Sequence, residues 1–357
     1  MLNTETIYLS QVRAALWGEP VEPVSCNEEL LMLHMRQGTG TMVFPRLPMM
    51  PQMKMVCLQN IQQQVKLHYI LTQAWKALTK AGIQPVLMKG AGLAALYPEP
   101  QMRAWGDIDL FIGIEHYHPA CAVMRDTFPD ALKFDEELDH YKHYNLIADG
   151  ISIEIHRVSI GFQHPIDARR YAKIEAFGMT NSQKLELEGL TVHVPDPTFN
   201  ALFVMLHSWE HATTQGANLR QICDLALLLH RHAADINRSL LRSWLQQLHM
   251  LDAWQLYMYL LVNRMGLPQE EAPFYSERVA ARAEHFLDDL LKGRLVAPKA
   301  GVPASKNRLA RKFHTMQERI RNARRIASYS PEYARHMKAE TFLHGALRLF
   351  AKDRHWE

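Results

Sequence analysis

The pattern of apolar residues changes at Pro195-Asp196-Pro197. Before this point, strand-like apolar runs are interleaved with helical patterns; after it, apolar residues recur mostly at helical spacing, with little Gly or Pro between the runs. Strand-like runs pair into sheets, whereas helical runs pack on one another. We therefore expect an α+β fold. Residues 1–195 would form a small mixed sheet flanked by helices, with an N-terminal helical extension, and residues 196–357 a mostly helical second domain with a basic C-terminal tail.

Composition places the chain among ordinary globular proteins. Hydrophobic residues make up 48% and charged residues 22% of the 357 residues, which is ample apolar material for a core. No apolar run reaches the ~18 residues of a membrane helix, and the N-terminal residues lack the basic-then-apolar layout of a signal peptide. We therefore expect a cytoplasmic protein with no membrane partner. Cys26, Cys57, Cys121 and Cys223 form no CxxC pair, which indicates reduced, mostly buried thiols.

Several elements of the first half can be placed from their patterns. Met55 to Lys80 is predicted to be one long helix. Strands are predicted at Gln84 to Lys89 and at Asp107 to Ile112. Asp149-Gly150 and Glu188-Gly189, each between two strand-like runs, predict two hairpins. The apolar positions that we expect the long helix to bury in the core are Leu58, Ile61, Val65, Tyr69, Leu71 and Leu78.

Two acidic residues stand at the head of the second predicted strand. Side chains alternate across a strand, so Asp107 and Asp109 share one face while Ile108 faces the core. Two carboxylates this close repel each other unless a cation neutralises them, and Mg²⁺ prefers such hard oxygen ligands. Taken alone, such a triplet recurs by chance, and in most proteins it is a pair of solvated acids at a strand end.

A third carboxylate strengthens the case for a metal site. Isoleucine fills every other position from Ile151 to Ile155, which places Glu154 and His156 together on the face away from the core. If this strand lies beside the one that carries Asp107 and Asp109, Glu154 completes a three-carboxylate cage for two cations about 4 Å apart. The alternative is an exposed glutamate on an edge strand.

A possible phosphate-binding turn precedes the acidic strand. Lys89-Gly90 connects an apolar run to a short helix, where free amides, a glycine that permits close approach and a lysine charge could hold phosphate. The GxxxxGK[ST] pattern is absent, so this is not a P-loop. Arg103 could clamp a phosphate through two hydrogen bonds, or it could pair with a carboxylate.

Together these motifs resemble a known family. Leu87-x-Lys89-Gly90, a short helix ending in Tyr97-Pro98, Arg103-x-x-Gly106-Asp107-Ile108-Asp109-Leu110 and Glu154-Ile155-His156 are similar to the uncharacterised bacterial nucleotidyltransferase family of the polymerase-beta-like superfamily. The resemblance covers Gly82 to Arg157 and continues loosely into the helical half.

The resemblance implies a chemistry and a set of roles. It implies Mg²⁺-dependent transfer of an NMP group from an NTP such as ATP to a hydroxyl acceptor, with release of pyrophosphate. Asp107, Asp109 and Glu154 would be the catalytic residues and the ligands of two Mg²⁺ ions, and the Gly90 turn would hold the triphosphate. The superfamily usually has serine after this glycine, whereas this chain has Ala91. A catalytically degenerate nucleotide sensor or protein-interaction module of the same fold is the alternative.

Polar residues of the helical half add candidates. His207 and His211 lie four residues apart, hence on one helix face, and together with Arg220 and Asp224 are the most suggestive polar residues there. The two histidines could be satisfied locally, line a nucleotide cleft between the domains, or bind zinc without the glutamate of an HExxH motif. We count Lys89, Gly90, Arg103, His156 and His207 as candidate nucleotide-binding residues.

The remaining question is the acceptor. The net charge is only +3, but Lys and Arg outnumber Asp and Glu after Ala300, in clusters such as Arg308, Arg311 and Lys312. These could meet a polyanion or form a solvated basic helix face, and no interleaved aromatics indicate base stacking. We therefore predict no stable nucleic-acid partner. Small molecule, protein and RNA acceptors all stay open.

Overall fold

The computed structural model describes residues 4–22, 27–134, 136, 138–162, 164–295, 317 and 320–339. The helices of the first half are α1 (Thr4–Leu16), α2 (Glu28–Arg36), α3 (Gly40–Val43), α4 (Pro51–Lys80), α5 (Gly90–Ala94), α6 (Tyr117–Thr127) and α7 (Pro165–Thr180). The strands are β1 (Val86–Met88), β2 (Asp107–Phe111), β3 (Leu132–Lys133), β4 (His143–Ala148), β5 (Ile151–His156), β6 (Gln183–Leu187) and β7 (Leu190–Val194).

In the second half, the regular elements of the described residues are all helices. It contains α8 (Pro197–Thr214), α9 (Leu219–Arg231), α10 (Arg238–Gln247), α11 (Leu251–Asn263) and α12 (Ala280–Leu291). Two further helical segments follow at residues 320–326 and 331–339. The α+β architecture, with a mixed sheet in the first half and helices after Pro197, is as the sequence predicts. Among the described helices, none combines the length and apolar character needed to cross a membrane.

The main sheet has five strands in the order β1-β2-β5-β4-β3. The β2–β5 pair is parallel, and the pairs β1–β2, β4–β5 and β3–β4 are antiparallel. This register places Asp107 opposite Ser152 and Asp109 opposite Glu154. The predicted neighbourhood of the two acidic strands is therefore confirmed.

Both predicted hairpins are present. Asp149 and Gly150 have φ of 50° and 75°, and Glu188 and Gly189 have φ of 47° and 86°. Two consecutive positive φ values characterise the two-residue turns that match the twist of paired strands. The first turn joins β4 to β5, and the second joins β6 to β7 in a separate two-stranded sheet.

Two apolar cores hold the molecule together. One packs α4 and α6 against the main sheet, around residues such as Trp75 and Ile108. The other joins the N-terminal helices to α8–α12, around residues such as Tyr8, Phe199 and Trp254. The N-terminal helices therefore share their core with the helical half. The domain boundary near residue 195 stays a prediction.

The burial predicted for α4 is largely wrong. Leu58, Val65 and Tyr69 are 57%, 68% and 61% exposed, and Ile61 is also exposed. Of the predicted core positions, only Leu71 and Leu78 are buried. They share the buried face of the helix with residues that were not predicted, such as Leu67, Ile70 and Trp75. The 30-residue helix carries two apolar stripes, of which one is covered. The covered stripe packs against the sheet and α6 from Leu67 onwards, and its first residues, Met53 and Cys57, pack in the other core.

Other predictions vary in outcome. Cys57, Cys121 and Cys223 are free and buried as expected, while Cys26 lies outside the described residues.

Helix α7 was not predicted, although Pro165 and Asp167 in its first turn are typical helix-start residues. Most of the predicted basic tail also lies outside the described residues. In its described part, Arg325 donates to the backbone oxygen of Leu295 at 2.8 Å.

Candidate functional site

A tight turn delivers Lys89 from the end of β1. Lys89 has φ 52° and ψ −135°, and Gly90 has φ 40°. Positive φ at a lysine costs conformational energy and is typical of positions that surrounding structure holds in place. The positive φ of Gly90 favours glycine, and a Cβ there would lie 3.1 Å from a ring carbon of Trp105, a tight contact that the ring would have to relieve by a small shift.

Arg103 holds this turn in place through a hydrogen bond to the Gly90 carbonyl. Its guanidinium is 3% exposed and forms two 2.7 Å hydrogen bonds to the Asp224 carboxylate, while Nη1 donates to the Gly90 carbonyl at 3.1 Å. The Tyr97 hydroxyl donates to the same carboxylate at 2.7 Å. Burial favours the neutral forms, but the mutual attraction of the charges prevails and lowers the pKa of Asp224 while raising that of Arg103. The structure thus gives Arg103 a positioning role, and its predicted contact with phosphate stays a prediction.

The three predicted carboxylates lie on one face of β2 and β5. Asp109 is fully buried directly opposite Glu154, and Asp107 lies two residues earlier on the same side of β2. Asp109 Oδ2 is buried and has no hydrogen-bond partner among the described residues. A buried carboxylate oxygen without a partner is costly unless an ion or water serves it.

Two cationic side chains contact these carboxylates. Lys89 Nζ lies 2.8 Å from Asp109 Oδ1. His156 Nε2 lies 3.1 Å from Asp109 Oδ1 and 3.0 Å from Glu154 Oε2. The predicted residues Lys89, Asp109, Glu154 and His156 are therefore brought into one connected group, with Asp107 beside it.

Electrostatics within the group favour charged forms, with one exception. The charge of Asp109, together with burial, raises the pKa of Asp107. Burial alone would raise the pKa of Glu154, but the hydrogen bond and charge of His156, with the charge of Lys89, lower it to about 2. Burial opposes the charge on Lys89 and His156, yet the neighbouring carboxylates raise the pKa of both side chains. A cation beside Asp107 would offset its repulsion by Asp109.

His143 was missed by sequence reasoning. It lies opposite His156 on β4, and ligand atoms of His143, Glu154 and His156 all lie within 4.8 Å of one another. Burial lowers the pKa of His143 to about 4, so the ring is neutral at pH 7 and able to bind a metal. The signal was available, because the alternation along β4 places His143 and Asn145 on the same side.

His207 reaches the site from α8. Its Nε2 lies 3.1 Å from Lys89 Nζ and 3.2 Å from Nε2 of His211. An ammonium group has no acceptor, so Lys89 donates and His207 Nε2 accepts. Burial and then the Lys89 charge lower the pKa of His207, which keeps it neutral. The helical half therefore contributes directly to the Lys89 end of the group.

The donor set fits a divalent cation. Three carboxylates on one face suit Mg²⁺, and the partnerless Oδ2 of Asp109 offers it a ligand atom. Among the described residues, ligand atoms of His143, Glu154 and His156 lie within 4.8 Å of one another, a spacing that Asp107, Asp109 and Glu154 do not reach together. Lys89 and His156 contact the carboxylates. Both side chains contact Oδ1, so a cation at Oδ2 leaves them in place, whereas a cation at Oδ1 would have to displace one of them.

Comparison with known proteins gives a solved structure and a family model that match this chain. A structure described as "Crystal structure of an antigenic nucleotidyltransferase-like protein from Paracoccidioides brasiliensis" is 15% identical, with 59% of this chain and 95% of that chain covered and a TM-score of 0.36. No curated protein matches the chain. The family model described as "Uncharacterised nucleotidyltransferase" matches residues 34–266, which is more than half of the 357 residues and includes every predicted site residue. The chain therefore belongs to this uncharacterised nucleotidyltransferase family.

Proposed function

We propose that the protein is a Mg²⁺-dependent nucleotidyltransferase that moves an NMP group from an NTP to a hydroxyl acceptor and releases pyrophosphate. The observation that carries the proposal is the pairing of Asp109 with Glu154 across β2 and β5, with Asp107 on the same face. Family membership supports nucleotidyl transfer as the reaction class.

The proposed roles follow from the contacts of each residue. Asp107, Asp109 and Glu154 would hold the cations. When bound, Mg²⁺ would neutralise phosphate charge and polarise the phosphorus centre. Glu154 is suited to this task because His156 keeps it ionised. In the transfer, a bond forms from the acceptor oxygen to the α-phosphorus, the bond to the β-phosphate breaks, and the hydroxyl proton leaves to Glu154 or water.

Lys89 would change partners when nucleotide binds. It is a flexible ammonium held between Asp109 and His207, and cations at Asp109 would release it towards the incoming phosphates. The Gly90 turn, fixed by Arg103, would bring backbone amides close to the same phosphates. Neutral His207 would accept a hydrogen bond from Lys89 without adding a repelling charge.

A binding and transfer assay tests the proposal. Purified protein is incubated with Mg²⁺ and each α-labelled NTP, with candidate small-molecule, protein and RNA acceptors, and both labelled product and pyrophosphate are measured. Asp109→Asn should abolish transfer, whereas Asp130→Asn, at an exposed position, should not. The proposal fails if no NTP binds and Asp109→Asn leaves every measured activity intact.

A non-catalytic nucleotide sensor is the second candidate. It is favoured by one observation: Lys89 and His156 already neutralise the carboxylates, so the fold can hold its acidic group without metal. Thermal stabilisation by Mg²⁺ and NTP without any turnover would support this candidate over the enzyme.

A further inference from the structure

Three side chains of types that bind metals lie close together where the start of α7 contacts the helical segment 331–339. His164 is the residue before α7, Asp167 lies in its first turn, and His336 lies on the segment, 169 residues away from Asp167 in sequence. We propose that His164, Asp167 and His336 form a binding site for Zn²⁺ or a closely related transition-metal ion. The residues are separate from the carboxylate group of β2 and β5.

The geometry is close to that of a bound zinc ion. His336 Nε2 lies 2.6 Å and His164 Nδ1 lies 3.6 Å from the same oxygen, Asp167 Oδ2. All three ligand atoms lie within 4.8 Å of one another. Bonds of about 2.0–2.1 Å in a tetrahedral arrangement separate ligand atoms by roughly 3.4 Å. The His164–Asp167 distance is near this value, whereas the His336–Asp167 distance would have to lengthen as the ion replaces the hydrogen bond.

The donor chemistry selects the metal. Two imidazole nitrogens and one carboxylate oxygen suit zinc and its neighbours, whereas Mg²⁺ and Ca²⁺ prefer oxygen ligands only. Three protein ligands leave a fourth position for water. Coordination through Nε2 of His336 requires this nitrogen to carry no hydrogen, so the ion would replace its hydrogen bond to Asp167.

Surrounding contacts hold the ligands in place. The His249 ring stacks on His336, with centroids 4.0 Å apart and planes inclined by 24°, which limits rotation of the ligand ring. Arg170 Nη1 lies 3.4 Å from Asp167 Oδ1 and donates to the Gln247 carbonyl at 2.9 Å, which leaves Oδ2 directed at the histidines. Such supporting contacts orient ligands in metal sites.

The consequence is a metal cross-link between distant parts of the chain. The ion would tie segment 331–339 to α7, and α7 in turn packs on α8 of the helical core. Since the ion binds only when both parts are folded together, it should stabilise the docked segment. Arg335 and Lys338 within that segment provide trypsin sites whose cleavage reports docking.

The test is zinc binding by the full chain after chelator treatment. Titration calorimetry and metal analysis should give one equivalent of Zn²⁺ that His164→Ala and His336→Ala each weaken by at least about tenfold. Trypsin cleavage at Arg335 and Lys338 should slow on adding Zn²⁺ to the unmodified chain but not to these variants. Asp167→Asn, which preserves side-chain size but replaces one carboxylate oxygen by an amide nitrogen that cannot bind the ion, serves if an alanine variant fails to fold.

Two controls keep the assignment specific. Glu154→Gln should still bind one equivalent of Zn²⁺. This result would distinguish zinc bound at His164, Asp167 and His336 from zinc bound at the group of His143, Glu154 and His156. His118→Ala, at an exposed histidine, should bind zinc unchanged. The proposal is overturned if the unmodified chain binds no zinc, or if affinity and stoichiometry are the same in the His164 and His336 variants.

Discussion

Replacing Arg103 with methionine should be among the most damaging single changes in this protein. The substitution keeps an unbranched side chain but leaves the Asp224 carboxylate buried without its two 2.7 Å hydrogen bonds. Tyr97 still donates to that carboxylate, and Arg220 lies 3.7 Å away, so some compensation survives. Breaking a buried ion pair on one side costs about 3–5 kcal/mol, a large share of the ~5–15 kcal/mol that stabilises a typical domain.

Urea unfolding, followed by circular dichroism, measures this cost. Asp224→Asn should cost a similar amount, because it leaves the Arg103 charge buried. The double variant R103M/D224N removes both charges and should lose no more than the worse single variant. Arg264→Met provides a matched control: Arg264 pairs with Glu284 at 2.7 Å but both side chains are substantially exposed, so the loss should stay below about 1 kcal/mol.

The same perturbation has a functional signature. Arg103 Nη1 holds the Gly90 carbonyl, so loss of the guanidinium should loosen the turn and weaken nucleotide binding even under conditions where the variant is folded. Strictly additive costs in the double variant, or an Arg103→Met loss as small as that of Arg264→Met, would refute the ion-pair reasoning.

The remaining predictions concern packing and pH. Leu67→Ala should destabilise the protein by about 2–5 kcal/mol and Leu58→Ala by less than about 0.5 kcal/mol in the same urea assay, because Leu67 is buried and Leu58 is exposed on one helix; equal losses would contradict the assigned faces. Gly178→Ala should destabilise by at least about 1–3 kcal/mol despite alanine's higher helix propensity, since a Cβ would lie 2.0 Å from Phe199 Cγ; a rise in thermal midpoint would contradict this. Burial lowers the pKa of His34 to about 3, below its unfolded value of about 6.5, so its stabilising contribution is present above pH 6.5 and is lost as the pH falls towards 3. Between pH 7 and pH 5, the free energy of unfolding should fall by about 2 kcal/mol more in the unmodified chain than in His34→Gln. Identical falls would contradict a lowered pKa for His34.

Local patterns in the sequence were sufficient for the strands that carry the carboxylates. The isoleucine alternation around Glu154 predicts a strand, and the glycine after Asp149 predicts a turn, each from only a few neighbouring residues. Both elements are present. Pairing Asp109 with Glu154 needed only the assumption that the two strands are neighbours. The core of the candidate site was therefore predictable.

Long-range partners were not predictable from local patterns. Arg103 and Asp224 are 121 residues apart, and Lys89 and His207 are 118 apart, so no periodicity links them. From the sequence, the partner of Arg103 could be either a phosphate or a carboxylate, and only the fold identifies it as Asp224. Likewise, α4 carries two apolar stripes, and a hydrophobic pattern does not say which of them the sheet will cover.

The most direct test of the central claim is a crystal structure with Mg²⁺ and a non-hydrolysable NTP analogue. The proposal predicts cations ligated by Asp107 and Asp109, with Glu154 completing their coordination, and an α-phosphate held beside them. It also predicts that Lys89 Nζ has left its position 2.8 Å from Asp109 and contacts phosphate. An analogue bound elsewhere, with the Lys89–Asp109 ion pair intact and no cation at the carboxylates, would contradict the proposal.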